Sequence, residues 1–221
     1  MIPNVIIFTG GISGSSILAG TISMAGYWLG NSTKKISYET YENSTLVKLN
    51  IELLNKSGFL WNDIGELPPP STVAISQLYN EIDLTEYIRF INDCKKNTPW
   101  LWKDPRLSYT IYFWRKFLKF KDCKFILITR DIKQAWTGMI LRAKFAIPIE
   151  DLNTIHDMSI KAAERFLRME NLEYYLITFE EMLIDPKKVL NELSEFIGKD
   201  FKYSHFKAIY KGKIGTPRWN K

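Results

Sequence analysis

Two cysteines, Cys94 and Cys123, are too few in 221 residues for a disulfide framework or a thiolate metal cage. The two histidines, His156 and His205, stand apart and have no Cys, His or carboxylate at ligand spacing, so no metal is expected. No apolar run reaches the ~18–20 residues of a bilayer-spanning helix. The opening Ile2–Phe8 stretch is too short for a signal h-region and lacks a basic flank. Nor is there a block of five or six like charges that would serve as a nucleic-acid tail. Repeats and linkers are absent, and the one low-complexity patch is Pro68-Pro69-Pro70. These absences lead us to expect a reduced, cytoplasmic protein with no membrane or nucleic-acid partner, folded as a single domain over residues 1–221.

What is present is apolar and aromatic. Hydrophobic residues make up 46% of the chain and aromatics 14%, a composition that excludes intrinsic disorder. The net charge of +6 and a pI of about 9.1 are spread along the chain, and a basic cleft for a small anion accounts for them as well as any larger partner.

Val5-Ile6-Ile7-Phe8 reads as a strand buried on both faces of a parallel sheet. The turn Gly10-Gly11-Ile12-Ser13-Gly14-Ser15-Ser16 follows, then a helix from about Ser15 to Tyr27. Two further helices are predicted over Glu39–Lys56 and Val73–Ile91. Trp100-Leu101-Trp102 forms a second apolar segment that runs into Lys103-Asp104-Pro105-Arg106. There Asp104 suits an N-cap and Pro105 the first position of a helix reaching Lys119. Lys124–Thr129 is the clearest buried strand. Helices Ile132–Lys144 and Ile155–Met169 come next, then strand Tyr174–Phe179 and a helix opened by Asp185-Pro186 and stopped by Gly198. Strands alternating with helices predict an α/β fold: three layers, with a mainly parallel central sheet flanked by helices.

Open parallel sheets bind ligands beyond the carboxyl ends of their strands, and three strand ends here carry polar sequence: GGISGSS, KDPR and TRD. Glycines in the first allow consecutive amides to point inward around an anion, and the following helix adds its positive end. The loop has no lysine before its last serine, so it departs from the nucleotide-kinase pattern, and the dinucleotide pattern G-x-G-x-x-G is also absent.

The ordered set of GGISGSS, KDPR, FILITRD and YYLITFEEMLIDPKKVLNELSEFIG resembles sulfotransferases that use 3′-phosphoadenosine 5′-phosphosulfate (PAPS). AGYWLG and YETYENSTLVKLNIELLNKSGFLW resemble their bacterial branch, and Lys211-Gly212-Lys213-Ile214-Gly215 is similar to the element that closes over the adenosine 3′-phosphate. The resemblance covers nearly the whole chain. It implies a P-loop-like fold, PAPS as co-substrate without a metal, and a hydroxyl or amine acceptor on a small molecule or glycan. It also implies that Gly11, Ser13, Gly14, Ser15 and Ser16 hold the phosphosulfate, and that Arg130, Lys211 and Gly212 bind the 3′-phosphate. Arginine suits that role because its planar fork meets phosphate oxygens in pairs. Lys103 and Arg106 would face the phosphosulfate or the acceptor, or else pair with carboxylates such as Asp104.

Two positions depart from the family pattern. Ile12 stands where the family has a basic residue, and Gly138 stands where it has a serine, eight residues after Arg130. Lys103, Lys34 or Lys35 would have to supply the missing cation. In the resembled branch a glutamate follows shortly after the first helix, so the resemblance implies Glu39 or Glu42 as base for the acceptor proton, Glu39 being preferred for its place at a helix start and nearer the sheet edge; both also suit a first turn for dipole reasons alone. His156 serves as a base only if the loop before it folds over the site. A non-catalytic module binding PAPS or its product 3′-phosphoadenosine 5′-phosphate (PAP), and a P-loop-type small-molecule kinase, are the competing readings.

Overall fold

The computed structural model describes residues 2–35, 38–59, 69–142 and 147–211. Strand β1 (Asn4–Thr9) leads into helix α1 (Ser15–Ser23), followed by strands β2 (Ser32–Lys35) and β3 (Tyr38–Asn43) and helices α2 (Ser44–Lys56), α3 (Thr72–Gln77) and α4 (Thr85–Lys96). Strand β4 (Leu101–Lys103) precedes α5 (Leu107–Trp114), and β5 (Cys123–Thr129) precedes α6 (Ile132–Arg142) and α7 (Ile149–Met169). Strand β6 (Tyr174–Thr178) then precedes α8 (Phe179–Ile184), α9 (Pro186–Ile197) and α10 (Tyr203–Ile209).

The sheet has the order β4-β1-β5-β6 with every neighbouring pair parallel, while β2 and β3 form a separate antiparallel pair. All six residues of β1 are buried, as its unbroken apolar run requires. Its side chains alternate between two cores. Ile6 and Phe8 join Trp102, Phe125 and Leu127 beneath α2, α5 and α7, whereas Val5 and Ile7 join Leu101, Ile126 and Ile128 beneath α1 and α9. The predicted α/β, three-layer architecture is the one observed.

After β1 the chain passes to β4 on one side, then returns across β1 to β5 on the other. β1 is therefore the switch point of the sheet, and a crevice opens above its carboxyl end, between the ends of β4 and β5.

The helix expected over 15–27 ends at Ser23 and the one expected from Ile155 begins at Ile149, and three others differ more deeply. The one expected over 39–56 begins only at Ser44, because Asn43 caps it by accepting from the amides of Thr45 and Leu46 at 3.0 and 3.2 Å. Glu39 and Glu42 thus lie in strand β3 and not in a first helical turn. The helix expected over 73–91 is broken between Gln77 and Thr85, where the Asp83 carboxylate accepts from both the amide and the hydroxyl of Thr85. The helix expected from Pro105 starts at Leu107 and stops at Trp114. Asp104 turns its carboxylate to the Arg106 amide at 3.0 Å and the Arg106 guanidinium at 2.8 Å instead of capping the helix directly.

No described helix is long and apolar enough to cross a membrane. Both thiols are free and buried, and burial pushes each up to about 12, so neither is a thiolate at neutral pH.

Candidate active site

The loop after β1 takes its shape from left-handed backbone. Gly11 (φ 82°), Ile12 (φ 50°) and Gly14 (φ 77°) all lie in that region. Glycine adopts it freely, but a β-branched residue such as Ile12 does so only against a cost of roughly 1–3 kcal/mol. Such alternating backbone turns amides toward a common centre. Gly14 caps α1 without a side chain, so a ligand can approach the first amides of the helix. A Cβ at Gly11 would meet nothing within 4 Å, which leaves the loop open on that side. Ser13 is fully buried and its hydroxyl pairs with that of Thr9, while the Gly11 amide donates to the Thr9 hydroxyl at 3.2 Å. The Ser13 hydroxyl is thus committed to Thr9 and braces the loop from within, while Ser15, 4% exposed, stands at the helix start.

Gly14 is fixed from below by Phe179, the first residue of α8. A Cβ at Gly14 would come 2.1 Å from the Phe179 ring. Gly14→Ala should therefore lower stability by about 2–4 kcal/mol, combining overpacking with left-handed strain. A urea titration reads this directly, and an unchanged midpoint would mean the loop is not clamped.

Arg130 follows β5 and reaches back across the loop. Its guanidinium donates to the Ile12 carbonyl at 3.3 Å and lies over the Phe179 ring at 4.5 Å. Gly138 of α6 faces it: a Cβ there would lie 3.7 Å from one terminal nitrogen, an ordinary contact with room for a small side chain.

Lys103 ends β4 opposite Ile7 and is only 3% exposed. Its ammonium donates to the Glu42 carboxylate at 2.6 Å, the Thr40 carbonyl at 3.2 Å and the Ser16 hydroxyl at 3.3 Å. The sequence pattern thus named four residues, Lys103, Glu42, Ser16 and Arg130, that the fold brings to the two flanks of one loop. β3 delivers Glu42 through a kink at Tyr41 (φ 55°), whose ring packs against Gly20 of α1. A tyrosine held in left-handed backbone is a strained feature of the kind that collects at functional sites.

Arg106 has the carboxylate partner foreseen as its alternative. Its guanidinium pairs with Asp104 at 2.8 Å, Asp104 accepts from Asn50 at 2.8 Å, and Asn50 accepts from the Trp114 indole at 2.8 Å. With Asp104 fully buried, this network fastens the segment after Lys103 to α2 and α5. Lys211 is exposed, two residues past α10, whose Ile209 packs on Gly20. Gly212, Pro68 and the 143–146 stretch lie outside the described residues, as do the side chains of Lys34 and Lys35.

His156 is the residue the sequence placed least well. It sits in α7, which already starts at Ile149, and its ring covers Gly10: a Cβ at Gly10 would lie 2.5 Å from His156 Cδ2 and 2.9 Å from Nε2. Among the described residues no group of three His, Cys, Asp or Glu side chains could hold a metal ion.

No protein-family model matches the chain, and no curated protein matches it in sequence. Seven chains of solved structures do match. The sulfotransferase domain of the olefin synthase from Synechococcus PCC 7002 is 16% identical, with a TM-score of 0.56 over 97% of this chain and 79% of its own. A sulfotransferase domain from the curacin biosynthetic pathway gives 16% and 0.56 over 98% of this chain and 80% of its own. At that identity the likeness is one of fold, and the fold is that of sulfotransferase domains.

Proposed function

We propose that the protein is a sulfotransferase that takes its sulfuryl group from PAPS and passes it to a hydroxyl or amine of a small molecule or glycan. The observation that carries this reading is Lys103. A buried ammonium bonded to Ser16 of the loop supports the reading, because it would supply the cation that Ile12 leaves out of the loop itself. The shared fold and the three strand ends meeting at the switch point support it.

The donor set suits PAPS. The left-handed amide of Gly14, the start of α1 with Ser15 and Ser16, and Lys103 would hold the phosphosulfate beside the turn that Gly11 makes, while Arg130 with Lys211 and Gly212 would hold the 3′-phosphate. When bound, PAPS supplies an electrophilic sulfur whose bond to the 5′-phosphate oxygen breaks as the acceptor oxygen or nitrogen attaches. Lys103 would neutralise the charge that develops on that phosphate oxygen, the kind of preorganised electrostatic help that is often the largest catalytic contribution. Glu42, fastened beside Lys103, is the better placed of the two β3 carboxylates to take the acceptor proton. Of the two reasons for preferring Glu39, its place at a helix start does not hold in a strand.

A second reading, a PAP-binding module without turnover, draws on Ile12 and Gly138. Both readings require selective nucleotide binding. PAP at ~100 times its dissociation constant should raise the melting midpoint by roughly 5–10 °C. AMP, ADP and ATP–Mg²⁺ should do markedly less, and a shift with ATP–Mg²⁺ alone would replace both readings with a kinase. Release of PAP from PAPS in the presence of mixed hydroxyl and amine acceptors separates enzyme from module.

A further inference from the structure

Of the buried ionisable groups to which the proposed function gives no task, His156 lies against the loop. His156 is 9% exposed, and its Nε2 has no hydrogen-bond partner among the described residues. A buried polar atom without a partner is costly, and one placed against a candidate anion loop has a ready partner in the ligand that seats there. The ring edge carrying Nε2 lies on Gly10, the first residue of the loop, while Lys103 lies at Ser16, the last. Between them stands Ile12, where a cation is missing.

We infer that His156 is the second cation of this site: it takes up a proton as an anionic phosphoester seats on the loop, and its charge replaces that of the basic side chain absent at Ile12. This rests on the phosphate-binding reading of the loop. The surroundings favour a switch of this kind. From Asn4 to Ser16, β1 and its loop contain no ionisable side chain. Helix α6 presents Ala135 and Met139 to α7, and α5 presents Tyr109, hydrogen-bonded to Ser159. The charge acting on His156 comes from Asp157, which is itself paired with Lys161 at 2.7 Å. Burial holds the imidazole below its ordinary pKa, with Asp157 pulling weakly the other way, so the free protein carries it neutral at pH 7. An anion on the loop favours the charged form and raises that value.

The sign follows. Between the free and the bound pKa, one proton enters with each anion, and affinity falls as pH rises through the bound value. Calorimetric titration of PAP at pH 7 in buffers of different ionisation heat should give an uptake of about 0.6–0.9 proton per PAP in the native chain. His156→Gln, which keeps a polar side chain of similar reach, should take up about none beyond the phosphates' own small contribution. Its PAP affinity should fall about five- to tenfold at pH 7, and less at pH 8.5. Because the chain has only two histidines, NMR of the native protein provides a check that needs no variant. PAP should raise the His156 titration by a unit or more and leave His205 in place.

Equal proton uptake in both proteins, or a His156 titration that PAP does not move, would overturn the inference while leaving PAP binding intact. If PAP fails to bind but inorganic pyrophosphate binds with a proton lost in His156→Gln, the inference stands and the donor assignment falls. If neither anion binds, both fall.

Discussion

Lys103→Met should stop sulfuryl transfer while leaving the nucleotide bound. The substituted side chain has similar length and is apolar, so the cavity is filled and only the charge and three hydrogen bonds disappear. Loss of one preorganised cation at the reacting end should lower kcat by about 100- to 1000-fold, in line with removal of a single electrostatic donor from other active sites. Stability must fall too. Glu42, with its side chain 12% exposed, would keep a carboxylate facing an apolar side chain without a counterion. Breaking a buried pair from one side costs about 3 kcal/mol or more. Adding Glu42→Gln to Lys103→Met separates the two effects, because a neutral amide no longer suffers from the missing ammonium. The double variant should regain most of the lost stability in a urea titration and none of the lost turnover, since both the cation and the proposed base are then gone. Recovery of both together would mean that Lys103 merely holds β3 to β4, and the proposed role in transfer would be lost.

That pair also shows where sequence reading stops. The strand ends were legible because β1 and β5 are continuous apolar runs, and because a parallel sheet forces their carboxyl ends to one edge. Lys103, Ser16 and Arg130 followed from that edge without any contact being known. The hairpin of β2 and β3 was not legible. Tyr38–Asn43 runs straight into the apolar periodicity of α2, and the boundary rests on one asparagine cap, so Glu42 could be named but not placed. Its partner was out of reach for the same reason: which carboxylate meets Lys103 depends on how a separate two-stranded element docks beside β4. His156 was harder still. A solitary histidine on a helix has no periodic signature, and only the packing of α7 over β1 brings it to Gly10. The absent Cβ at Gly10 was the available clue, since a glycine just after a buried strand marks a place where something approaches closely.

Arg130→Ala should erase the preference for a 3′-phosphate and little else about nucleotide binding. The guanidinium is presented on one side by the Phe179 ring and on another by the Ile12 carbonyl, and it faces Gly138, where no side chain intrudes. Its fork is thus fixed before a ligand arrives, and little rotamer entropy remains to be lost on binding. Charge-assisted hydrogen bonds to a phosphate contribute about 2–3 kcal/mol, so PAP should bind about 30- to 150-fold more weakly. AMP lacks only the 3′-phosphate and should change by less than about threefold. This contrast matters because the substitution also removes the contact with Ile12 and the stacking on Phe179, together about 1–2 kcal/mol of stability. A loop loosened by that loss would weaken PAP and AMP alike, since both place a 5′-phosphate on it. Isothermal titrations of the two ligands against the two proteins therefore form a closed cycle. A large effect confined to PAP assigns Arg130 to the 3′-phosphate. An equal effect on both would make it a brace for the loop, and the 3′-phosphate pocket would have to be sought among other cations near the end of the chain.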